Sequence, residues 1–72
     1  MEDEEVLEAI KHTLEAAYNE HIQDKKTVTI TIKGYTVIVG RPDNWNYLIY
    51  DGKKLLRETN MLTAAANWLI EH

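Results

Sequence analysis

The chain has no cysteine and no serine, one proline and only three glycines in 72 residues. Without cysteine, disulfide frameworks, thiolate zinc sites and cysteine nucleophiles are excluded together, and the composition suits a reducing cytosol. The missing serine and the single placement of each glycine at a turn leave neither a serine nucleophile nor a loop able to cradle phosphates. There is no charged-then-apolar leader, and no apolar run approaches the length of a membrane span. The expectation is a soluble, unprocessed cytoplasmic domain with no membrane contact. Carboxylates are plentiful but fall on an exposed helix edge, where nothing pushes two pKa values apart. The chain is therefore read as no enzyme, with no catalytic residue, no cofactor and no metal.

What is present is acid and a strong alternation of apolar residues. Twelve Asp and Glu stand against eight Lys and Arg, for a formal net charge of -4. Glu2, Asp3, Glu4, Glu5 and Glu8 crowd one end, where acids also interact well with a helix dipole. This balance disfavours direct nucleic-acid binding, whose affinity comes mainly from neutralising phosphates with Lys and Arg. It suits a basic protein partner.

A chain of this length is a single domain at the small end of what buries a core unaided, spanning residues 1–72. From Glu2 to about Gln23 the pattern is helical, with Leu7, Ile10, Leu14, Ala17 and His21 on one stripe. Thr27 to Lys33 alternates Thr with Val or Ile, the signature of a half-buried strand. A two-residue turn at Lys33-Gly34 pairs Ile32 with Tyr35, Ile30 with Val37 and Val28 with Val39 on one face. The other face then carries Thr27, Thr29, Thr31, Thr36 and Ile38. Gly40 to Asn44, with Pro42, reads as a turn, and WNYLIY from Trp45 as a third strand.

Asp51-Gly52 is a hairpin signal, so Lys53 to Arg57 returns as a short fourth strand. A strict two-residue turn pairs Tyr47 with Leu56 and Leu48 with Leu55, whereas a bulge at Gly52 shifts those partners by one. Asn60 is placed as the N-cap of a last helix with Leu62, Ala65 and Leu69 on its stripe. The expected fold is α+β, a two-layer sandwich of helix, antiparallel three- to four-stranded meander and helix. Both helices should lie on the Val28, Ile30 and Ile32 face.

His12 and His21 are nine positions apart, on roughly opposite sides of the helix, and do not close on one ion. His21 is placed by the helix C-terminus, and His72 is read as terminal and mobile. The third and fourth strands carry more apolar side chain than one buried face needs. Helices cover one face only, so either Leu48, Tyr50 and Leu55 or Trp45, Tyr47 and Ile49 look the other way. The candidate contact is Trp45, Tyr47 and Tyr50, with Glu4, Glu5 and Glu8 as a charged rim steering a basic partner. The rival reading encloses this patch as a satellite core.

The order of elements resembles a double-stranded-RNA-binding domain, which implies a nucleic-acid reader. Lys53, Lys54 and Arg57 support it, while Asn60-Met61-Leu62-Thr63-Ala64 lacks the Lys residues with which that family's second helix grips phosphate. YLIYDGKKLLRE, followed by an Ala-rich helix ending in Trp68-Leu69, resembles small accessory proteins of phages and mobile elements, of the anti-CRISPR and host-takeover inhibitor type. That resemblance implies an inhibitor or regulator occupying the surface of a larger host protein, possible targets including nucleic-acid-binding ones. A homodimeric module is the remaining alternative.

Overall fold

A computed structural model describes residues 2–40 and 46–72. Residues 41–45, which hold all but Gly40 of the turn read from Gly40 to Asn44 and the candidate contact residue Trp45, lie outside the described residues. Helix α1 covers Glu2–Asp24, and strands β1 Val28–Ile32, β2 Tyr35–Val39, β3 Tyr47–Asp51 and β4 Lys54–Thr59 follow, before helix α2, Leu62–Glu71. The strands form one antiparallel sheet in the order β1-β2-β3-β4. This is the expected α+β layout with the fourth strand present.

The first hairpin forms in the expected register, Ile32 opposite Tyr35, Ile30 opposite Val37 and Val28 opposite Val39. Lys33 and Gly34 both have positive φ, 54° and 83°, as a type I′ turn requires. Because the two strands are tied this way, all their core-facing residues fall on one side. Ile10, Leu14 and Ala17 of α1 and Ala65, Ala66 and Leu69 of α2 pack there against Val28, Ile32, Val37, Val39, Tyr47 and Ile49. Ala65 and Ala66 are fully buried, which small side chains permit where a helix lies close on a sheet. Both helices therefore occupy the same face.

The second hairpin departs from the strict register. Its turn is Gly52-Lys53, with Asp51 opposite Lys54 and Tyr50 opposite Leu55. Gly52 has φ 61° and Lys53 no positive φ, the pattern of a type II′ turn with Gly in its first central place. The register then shifts between Ile49 and Tyr50, so Ile49 meets Arg57, Leu48 meets Glu58 and Tyr47 meets Thr59. Leu56 is the extra residue of this bulge. The pairings of Tyr47 with Leu56 and Leu48 with Leu55 are thus corrected, the bulge lying in β4 rather than at Gly52.

The cap of α2 is also corrected. Met61 occupies the N-cap position without a side-chain cap, and Thr59 Oγ1 accepts the Met61 N–H at 3.1 Å. Asn60 instead accepts the backbone N–H of Asn46 through Oδ1 at 2.9 Å, fastening the start of β3 to the β4-α2 connection. At its other end α2 has no basic residue of its own in the last turn. Lys33, from the β1-β2 turn, donates to the Leu69 carbonyl at 2.8 Å and the Ile70 carbonyl at 3.4 Å. A cation on orphan carbonyls at a helix C-terminus is a favourable placement.

Candidate contact surface

Alternation along the strands decides which side chains face away from the helices. Because Val37, Val39, Tyr47 and Ile49 face the helices, Thr36, Ile38, Leu48 and Tyr50 point to the opposite side. Thr29 and Thr31 extend this face across β1, and Leu55 and Glu58 extend it across β4. Ile38 lies opposite Leu48, and Tyr50 opposite both Thr36 and Leu55, so the apolar residues form one oblique strip across β2, β3 and β4. No described helix covers it.

Exposure along the strip is graded. Leu48 is 4 % exposed, Ile38 and Tyr50 are half-buried, and Leu55 is 41 % exposed. The two sequence alternatives are therefore separated, since Leu48, Tyr50 and Leu55 look away from the helices while Tyr47 and Ile49 look towards them. Leu48 itself is enclosed, so the satellite-core reading describes its side chain and the exposed-patch reading describes Leu55.

Of the candidate contact residues, Tyr47 is corrected. It is 3 % exposed and packs in the core, its ring 6.1 Å from that of Tyr18. Its hydroxyl pKa is raised above 10.0, first by burial and then by the neighbouring Tyr18 and Glu15. Tyr50 stands on the helix-free face. Glu4, Glu5 and Glu8 are exposed on α1, in the layer on the other side of the sheet, and Glu8 lies 3.8 Å from Lys11. They do not rim Tyr50. The acidic turn and the apolar strip are two separate surfaces.

The histidines have structural surroundings. His21 donates from Nδ1 to the Lys26 carbonyl at 2.7 Å, and its ring lies 5.8 Å from Tyr18. It also lies against Gly40, at φ 84°, so closely that a Cβ there would overlap the imidazole. His72, read as mobile, stacks on Trp68 with centroids 4.0 Å apart and planes 9° apart. Trp68 in turn meets Tyr35 edge-on at 5.2 Å, and the Tyr35 hydroxyl donates to the His72 carbonyl at 3.4 Å. Among the described residues no three His, Asp or Glu side chains converge to hold a metal ion.

One further feature escaped the sequence reading. An open cleft of about 310 Å³ lies between α1 and the end of α2, lined by Glu4, Leu7, Ile70 and Glu71. Only helix-to-helix packing distances could have revealed it. The basic trio read from the sequence is exposed, Lys53 in the β3-β4 turn and Lys54 and Arg57 on β4, at one edge of the sheet. No described helix is long and apolar enough to cross a membrane. Compared with protein-family models, curated proteins and solved structures, the chain matches none of them.

Proposed function

We propose that the chain is a non-enzymatic protein-binding module that acts by occupying a surface of a larger protein, as an inhibitor or regulator does. The observation that supports this reading is the apolar strip on the helix-free face, ending in half-buried Tyr50 and exposed Leu55. A Tyr beside an aliphatic residue offers rigid contact area with a polar handle, the chemistry favoured at the centres of protein contacts. The resemblance of the β3-β4 hairpin and α2 to phage accessory proteins points the same way. Glu4, Glu5 and Glu8 act at a distance in this reading, drawing a basic partner towards the molecule rather than sealing the contact.

The test compares the unmodified chain with Leu55→Asp and Tyr50→Ala as baits in a lysate, with melting temperatures measured alongside. A single protein captured by the unmodified chain and lost with Leu55→Asp, at an unchanged melting temperature, supports the reading. Capture that ignores both substitutions removes this face as the contact. Retention on a nucleic-acid column that falls steeply with salt would instead favour the basic β4 edge and the RNA-binding resemblance.

A further inference from the structure

The two edges of the sheet are built differently. β4 carries Lys54, Arg57 and Glu58 and a bulge, devices that keep an edge from pairing with another strand. β1, at the opposite edge, reads Val-Thr-Ile-Thr-Ile, with no charge, no proline, no glycine and an uninterrupted register against β2. No described backbone group pairs with its outer side.

Hairpin geometry fixes which groups are free. The residues flanking a two-residue turn exchange both their hydrogen bonds, so Ile32, and by alternation Ile30 and Val28, direct their N–H and C=O inward to β2. Thr29 and Thr31 direct theirs outward. We propose that this edge pairs with β1 of a second copy, antiparallel about a two-fold axis through Ile30, joining two sheets into one of eight strands. In that register Thr29 lies opposite Thr31 of the other copy and exchanges both hydrogen bonds with it, and the reciprocal pair does the same. Ile30 meets its own copy on the helix side.

The choice of a second copy rather than another protein's strand rests on the palindrome Thr29-Ile30-Thr31. A strand symmetric about its centre places identical Thr-Thr pairs on both sides of the axis, a pairing that stabilises adjacent strands. The neighbouring helix agrees. Tyr18 reaches Tyr47, and Glu4 and Leu7 line the cleft beside α2, so the flank of α1 carrying Val6, Ala9 and Thr13 faces away from α2, above β1. All three are exposed and uncharged, and Thr13 donates its hydroxyl to the Ala9 carbonyl at 2.9 Å, leaving its methyl outward. Pairing of the edges sets two such flanks side by side. This interface is independent of the strip ending at Leu55 and leaves that strip open.

Solution mass across a dilution series, up to millimolar chain, gives the first reading, with twice 8.4 kDa expected at the concentrated end. Amide exchange then locates the contact. Thr29 and Thr31 N–H should become protected with rising concentration, while that of Ile30 is protected throughout. The double substitution Thr29→Lys with Thr31→Lys sets like charges directly opposite at both pairs and should weaken the dimer roughly tenfold or more. Leu55→Asp should leave it unchanged. A single-chain mass at every concentration overturns the proposal, and so does a dimer with freely exchanging Thr29 and Thr31 amides. If the double substitution impairs folding, the exchange measurement on the unmodified chain decides.

Discussion

Two neighbours on β3 have opposite surroundings. Ile49 is fully buried beneath the helices, whereas the chain's next side chain, Tyr50, emerges half-buried on the face no described helix covers. On β1 and β2 the same alternation sets Val and Ile against Thr, with Ile38 the one apolar exception. On β3 both faces are apolar. The comparison teaches that folding accounts for one face of the sheet, and that the apolar surplus of the other is concentrated on β3 with its contacts Ile38 and Leu55. A surplus confined to one strip calls for a cause other than core formation.

The largest effect should come from asking whether the two faces differ in energy as they do in cover. Leu14→Ala, at a fully buried site between helix and sheet, should cost about 3 to 5 kcal/mol. Leu48→Ala, on the helix-free face where neighbours can settle into the space, should cost about 2 kcal/mol. Leu55→Ala should stay within about 0.5 kcal/mol. Denaturant unfolding measures all three. Equal costs at Leu14 and Leu48 would make the second face a core in its own right and erase the contrast.

The next effect concerns the corner where the end of α1 meets the covered face. Gly40→Ala must hold a left-handed backbone, for about 1 to 2 kcal/mol, and also displace the His21 ring. The total should reach about 3 kcal/mol. Adding His21→Ala should recover the steric share but leave the backbone share, at the loss of the hydrogen bond to Lys26. A double-mutant cycle that closes additively, within about 0.5 kcal/mol, would show that the ring does not rest on Gly40.

The fold was legible where two independent signals agreed. In β1 and β2 the period-two pattern and the Lys33-Gly34 turn demand the same register, so the pairing of Ile30 with Val37 follows from either. In the second hairpin they compete. Asp51-Gly52 reads as the turn, yet the chain places Gly52 first and adds Leu56 as a bulge, and the odd shift sets Thr59 rather than Leu56 against Tyr47. Period-two reasoning carries no information about an inserted residue. The side of Tyr47 was therefore open until the sheet was anchored through Val39. The separation of Glu4, Glu5 and Glu8 from Tyr50 was illegible for a different reason, since it depends on which layer α1 joins relative to β3. Likewise, Asn60 has the chemistry of an N-cap, but Asn46 supplies a competing donor from far along the chain.

The smallest effect tests the place of Tyr47 itself, and with it the claim that β3's two tyrosines live in different media. Burial raises the Tyr47 pKa in the folded chain above 10.0, with Tyr18 and Glu15 adding to the shift. Above pH 10 the unfolded chain loses this proton while the folded chain retains it, so the unfolded state binds fewer protons and stability falls as pH rises. The contribution is fully present below pH 10 and is lost as pH climbs through the higher folded value. Tyr47→Phe should change stability little at neutral pH and flatten the decline above pH 10, because Phe has no proton to lose. Thermal melts of the two chains from pH 8 upward make the measurement. A decline above pH 10 that Tyr47→Phe leaves unchanged would take Tyr47 out of the covered face, and the division of the sheet into covered and open sides would have to be redrawn around β3.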